Sequence, residues 1–123
     1  MASSIDVEFE DGTGYLTARL SGTYSLPGML HAIDRIGEES AARHATRVLV
    51  EVNIAGDAPL TERFAYANYA ARVLRGMKKV AACAGPHQRV EPFTEDTSQN
   101  RGLPLRVFGD LKEAIRWLTA EAE

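Results

Sequence analysis

Val48-Leu49-Val50-Glu51-Val52-Asn53-Ile54, closed by Ala55-Gly56-Asp57-Ala58-Pro59, decides the fold class of this chain. Four of the first five residues are Val or Leu, so the alternation of a strand with one wet face is nearly absent. A run of this kind needs apolar cover on both sides, and a central strand of an α/β sheet receives it from helices. On its N-terminal side, Ile5-Asp6-Val7-Glu8-Phe9 and Tyr15-Leu16-Thr17-Ala18-Arg19-Leu20 do alternate, with the turn formers Asp11-Gly12-Thr13-Gly14 between them. They predict an antiparallel hairpin at a sheet edge, its charged face discouraging pairing with other molecules. Ser25 then fits an N-cap, with Pro27 in the first turn of a helix whose Leu26, Met29, Leu30, Ile33 and Ile36 share one face.

On the C-terminal side a second helix is predicted over 61–75, with Thr61 as its N-cap and Gly76 as its left-handed stop. At 100° per residue, Leu60, Phe64, Ala67, Ala71 and Leu74 form its inner stripe. Residues 79–84 form the next strand, parallel to the Val48 strand because a helix intervenes. A short third helix follows over 91–101, with Val90 and Phe93 inward and Pro92 confined to its start. Leu105-Arg106-Val107-Phe108 is the last strand, and Asp110 with Glu113 reads as a capping box. The closing helix turns Leu111, Ala114, Ile115 and Leu118 inward, with Trp117 at the margin. The element order is β-β-α-β-α-β-α-β-α: one α/β domain over 1–123, a mixed sheet of about five strands with about four helices.

Composition removes several function classes. The 14 Lys and Arg are outnumbered by 17 Asp and Glu, and no basic run exceeds Lys78-Lys79, so nucleic acid is not an expected partner. No apolar stretch approaches the ~20 residues of a membrane span. The first residues lack the basic start and apolar core of a signal peptide, and a cytoplasmic location is expected. Cys83, the sole cysteine, sits in an apolar strand-like run and reads as a buried, inert thiol. His31, His44 and His87 do not stand at metal-ligand spacing, so neither a metal nor a cofactor is expected. No glycine-rich phosphate loop, nucleophile elbow or His-Glu zinc helix is present. No residue is assigned a catalytic role; Glu51 and His87 are the first to test if the chain is an enzyme.

Two antiparallel strands followed by repeated α-β units resemble the SpoIIAA-like (STAS-like) family. The closing stretch from Leu105 to Leu118, with its Phe108, Asp110, Ala114, Trp117 and Leu118, is similar to the ending of many uncharacterised bacterial members. The resemblance implies a regulatory or protein-interaction module. Regulatory members carry an Asp-Ser-Ser-Gly turn after the third strand, where a Ser is the phosphorylation switch. Here the matching region is Asp57-Ala58-Pro59-Leu60-Thr61-Glu62, which lacks the Ser-Ser-Gly element and leaves Thr61 as the nearby hydroxyl. An anti-sigma-factor antagonist therefore requires Thr61 as its switch. A small-ligand or lipid-binding module of the same architecture is the competing class.

Open α/β sheets bind ligands beyond the C-terminal ends of their parallel strands. That rule selects Glu51, Asn53, Asp57 and Thr61 after the central strand, and His87 and Gln88 after the next. On the second helix, Tyr66, Tyr69 and Val73 fall nearly opposite the inner stripe, and a helix apolar on two sides offers its second face to another molecule. A protein contact is expected there, most simply a homodimer.

Overall fold

The computed structural model of the protein describes residues 4–84 and 104–120. β1 (Ile5–Asp11) pairs antiparallel with β2 (Leu16–Thr23). β3 (Arg47–Ala55), β4 (Lys79–Ala84) and β5 (Leu105–Phe108) then add in turn, each parallel to its predecessor. The sheet order is β1-β2-β3-β4-β5, so the Val48 run lies at its centre. Three helices complete the described residues: α1 (Leu26–Ala42), α2 (Leu60–Val73) and α3 (Leu111–Thr119). The additional helix expected over 91–101 lies outside the described residues.

Strand parity divides the core. Val48, Val50 and Ile54 share one sheet face with Leu16, Ala18, Leu20, Val80 and Leu105, packed on Ala32 and Ile36 of α1, on Ala71 of α2 and on Leu74 just after it. Leu49, Ala81 and Cys83 face the other way, onto Ala114 and Leu118 of α3. Val48 and Leu49, adjacent but pointing to opposite faces, are 0% and 1% exposed. Double-sided cover, read from the lack of alternation, holds over the first half of β3. Past Val50 the strand alternates, with Asn53 and Ala55 exposed around buried Ile54.

Local signals account for the helix ends. Ser25 caps α1, its Oγ accepting from the Gly28 N–H at 3.1 Å, and Pro27 occupies the first turn. At the other end, Ala45 N–H donates to Ser40 O (2.8 Å) and His44 N–H to Ala41 O (3.2 Å). These are the two bonds of a Schellman stop, here built on a histidine at φ +55°. Gly76 takes the expected left-handed φ of +97°, but α2 ends earlier than predicted, at Val73 with Leu74 as its cap, so Gly76 belongs to the turn after the helix. Asp110 caps α3 through the Lys112 N–H at 3.3 Å, one residue short of the N3 amide that a capping box uses.

Three further expectations are corrected. The N-cap of α2 is Pro59, not Thr61: the Pro59 carbonyl accepts from Glu62 and Arg63 N–H at 3.0 Å each, and Thr61 lies inside the first turn. Proline at φ −59° already has the extended geometry a cap requires, so no side-chain oxygen is needed to begin the helix. Leu60 and Phe64 are 57% and 43% exposed rather than core. Burial on this stripe is confined to Ala67, Ala71 and Leu74, the half of the helix that packs on α1. There Gly37 admits Val73 so closely that a Cβ on Gly37 would lie 2.7 Å from Val73 Cγ1. Leu111 is 41% exposed because it opens α3 at the rim, a turn ahead of the buried Ala114 and Leu118.

Lys79 was placed by sequence in a strand, and nothing in its spacing foretells its burial. It is 3% exposed, and its Nζ donates to Trp117 O (2.8 Å) and Ala120 O (3.1 Å) at the C-terminus of α3. The ammonium also lies 5.0 Å from the centre of the Trp117 ring. A buried lysine is tolerated when its charge meets carbonyls and a ring face, and a helix C-terminus supplies the negative end of a dipole.

Candidate interaction surface

Glu51, on the α3 side of β3, stands directly across from Arg19 of β2 in the strand register. Arg19 Nε lies 3.5 Å from Glu51 Oε2, and its Nη1 lies 2.7 Å from Glu10 Oε1 on β1. Glu10 first and Glu51 second push the Arg19 guanidinium up from its ordinary value. The result is a cross-strand charge ladder on the exposed face of β1, β2 and β3. Glu51 is a rung of it, and its negative charge has a guanidinium beside it.

Asn53 follows two residues on, exposed on the same sheet face and opposite Ser21. The chain then turns at Gly56 (φ +96°), passes exposed Asp57, and enters α2 on the other side of the sheet. Thr61 is exposed in the first turn of that helix. The structure therefore divides the candidate ligand residues: Glu51 and Asn53 belong to one face, while Asp57 and Thr61 lead over to the opposite one. His87 and Gln88 lie outside the described residues.

Glu51 has another neighbour that the strand register supplies, Cys83 of β4. Burial first, then the charges of Glu51 and Asp110, push the Cys83 thiol up from its ordinary value. A thiol so placed is held in its protonated, poorly nucleophilic form. Among the described residues, no group of three or more His, Cys, Asp or Glu could hold a metal ion.

The residues expected to form an interface have partners within the chain. The Tyr69 hydroxyl donates to Asp34 Oδ1 at 2.6 Å, tying α2 to α1. That bond, with burial and the Asp34 charge, raises the Tyr69 phenol above its ordinary value, against a smaller opposing effect of Arg72. The Tyr66 ring stands 6.2 Å from that of Tyr24 at 54°. Tyr24 follows β2, and its hydroxyl donates to Glu62 Oε1 at 2.9 Å, so it anchors the first turn of α2. Burial, with the Glu62 bond second, raises the Tyr24 phenol well beyond its ordinary range. Val73 packs on Gly37. All three side chains are half-buried.

Neither a protein-family model nor a curated protein sequence matches this chain. Among solved structures it is similar to an uncharacterized protein of the DUF3478 family with a SpoIIAA-like fold, from Shewanella loihica PV-4. The superposition has a TM-score of 0.56 and covers 96% of this chain and 98% of the other, at 16% identity. The fold is SpoIIAA-like.

In this SpoIIAA-like fold the turn leaving the central strand ends at Pro59, and α2 opens with Leu60 and Thr61, followed by Phe64 one turn further on. Leu60, Phe64 and Leu111 are the large exposed apolar residues among those described. Two of the three thus lie on the first half of α2, beside the exposed hydroxyl of Thr61. Sequence periodicity found the stripe but not its exposure, because which half of α2 is covered depends on where α1 sits. No helix among the described residues is long and apolar enough to cross a membrane.

Proposed function

We propose that this chain is a non-enzymatic interaction module that meets a protein partner, in the first instance a second copy of itself, along the exposed N-terminal half of α2. The observation that carries this reading is the exposure of Leu60 (57%) and Phe64 (43%), one turn apart on a helix anchored by Tyr24 and Tyr69. Large apolar side chains held on a rigid element form the core of protein interfaces, and a firmly held helix loses little freedom on docking. Tyr66, Tyr69 and Val73, on the opposite side of α2 and already half-buried against the same chain, hold the helix in place and reach a partner only through their remaining exposed edges.

The test is sedimentation of the wild type beside a Leu60→Glu, Phe64→Glu double variant. Both substitutions are at exposed positions, so circular dichroism should be unchanged. The expected result is a concentration-dependent mass above the monomer for the wild type and a monomer for the variant. A wild type that stays monomeric at every concentration, or a variant with unchanged mass, would overturn the self-association reading.

A narrower reading makes Thr61 a phosphorylation switch. It is favoured by one observation: the Thr61 side chain is exposed and is not used as a cap. A phosphate in the first turn of α2 would lie at the positive end of the helix dipole while adding charge between Leu60 and Phe64. Mass spectrometry after incubation with serine/threonine kinases of anti-sigma pathways tests it; absence of label on Thr61 sinks the switch and leaves the interaction module standing.

A further inference from the structure

Beyond Leu60 and Phe64, α2 borders an open groove of about 430 Å³ against α1, lined by Leu30, Ala65, Asn68, Tyr69, Arg72 and Arg75. Its lining has two chemistries. Leu30, Ala65 and the Tyr69 ring are apolar, while Arg72 and Arg75 stand one turn apart on the rim. Arg72 lies over the Tyr69 ring at 5.6 Å, which fixes one guanidinium at the groove's edge. The nearby carboxylate of Asp34 already accepts the Tyr69 hydroxyl.

Arg19, Arg35 and Arg43 are each ion-paired to carboxylates of the same chain. Among the described residues Arg72 and Arg75, like Arg47, Arg106 and Arg116, have no such partner, but these two stand together on one groove, in a chain whose net charge is −3. Two unpaired guanidiniums flanking an apolar trough call for carboxylates spaced one turn apart beside an apolar side chain. The trough is also wide open to solvent. Small-molecule sites bury roughly 70–90% of their ligand, so a segment of protein fits this shape better than a free metabolite.

We infer that the α1–α2 groove docks an acidic, amphipathic helical segment of a protein partner, its carboxylates on Arg72 and Arg75 and its apolar face on Leu30, Ala65 and Tyr69. The inference rests on the interaction-module reading and extends that surface along α2. It names the partner's chemistry: acidic residues one turn apart with leucine-like anchors between them.

The experiment uses a fluorescein-labelled synthetic helix of alternating Leu and Glu turns, an otherwise identical Leu/Gln peptide, and phosphatidylglycerol/phosphatidylcholine vesicles. Fluorescence anisotropy reads affinity, and amide chemical-shift mapping reads position. The expected result is Leu/Glu binding that weakens with salt, with shifts at Leu30, Ala65, Tyr69 and Arg72. Exposed charge pairs of this kind predict about tenfold weaker binding for Arg72→Gln, Arg75→Gln and for the Leu/Gln peptide. Equal binding of both peptides, salt-independent binding, shifts mapping elsewhere, or no binding at millimolar protein would overturn the inference. So would cosedimentation with the anionic vesicles without peptide binding, which would assign the arginines to a lipid surface. Salt dependence and shift mapping are read on the wild type, so they decide the matter even if the double variant folds poorly. Peptide failure alongside the Leu60/Phe64 sedimentation effect sinks the groove but not the module; loss of the sedimentation effect with peptide binding intact does the reverse.

Discussion

Replacing Lys79 with Met tests whether a buried ammonium holds the end of α3. Met keeps most of the aliphatic stem and fills the same space, so the perturbation is the charge and its donors. The wild-type Nζ makes bonds of 2.8 and 3.1 Å to Trp117 O and Ala120 O, and hydrogen bonds to a charged partner are worth about 1.5–3 kcal/mol each. Against this, Met removes the several kcal/mol of desolvation that a buried ammonium costs. The two carbonyls left behind turn to water as the helix end frays, so they add no further penalty. The balance is a loss of about 2 kcal/mol. A chain of 123 residues, at about 2.1 cal/mol/K per residue of unfolding entropy, loses about 4 °C of Tm per kcal/mol, so the midpoint should fall by about 8 °C. Urea unfolding followed by the emission of the single tryptophan, Trp117, reads stability and the loss of the overlying cation together. Hydrogen exchange should accelerate most at the amides of α3. A Lys79→Met protein as stable as the wild type, with α3 exchange unchanged, would refute the claim that this ammonium caps the helix.

Three further outcomes follow from the same geometry. His44→Gly should stabilise the protein by about 0.5–1 kcal/mol, because His44 holds φ +55° at the end of α1, where a side chain is strained; thermal unfolding checks it. Gly22→Ala should destabilise by about 3 kcal/mol or more, since Gly22 has φ +123° and an added Cβ would run into the Ser4 carbonyl; a soluble variant with unchanged urea midpoint would contradict this. Cys83 should react with a disulfide reagent at about pH 8 far more slowly in the folded than in the urea-unfolded chain. Its folded pKa is raised, so its contribution to stability is complete below the unfolded thiol value and is lost as pH rises through the folded one; Cys83→Ala should flatten that alkaline decline.

The sites divide the same way as the fold between what the chain spells out and what it does not. Glu51 reads from sequence as a candidate ligand residue after the central strand, and the register sets it across from Arg19, a residue 32 positions earlier in the chain. Tyr69 reads as half of an exposed apolar face, yet its hydroxyl is bonded to Asp34. Both partners lie far away in the chain, which no periodicity encodes. The groove at Arg72 and Arg75 had no sequence signal beyond two arginines on a helix.

What the sequence determined by itself is local or statistical. Adjacent Val48 and Leu49 point to opposite faces of the sheet, so their shared apolarity required cover on both sides, and β3 is the central strand. Ser25 and Asp110 fixed helix starts because caps act within a few residues. Only the tertiary structure decided that Lys79 is buried and that Leu60 and Phe64 are exposed. Burial is a property of what packs on a residue, and the position of α1 beside one half of α2, or of α3 over Lys79, arises from the whole sheet order rather than from any neighbouring stretch of chain.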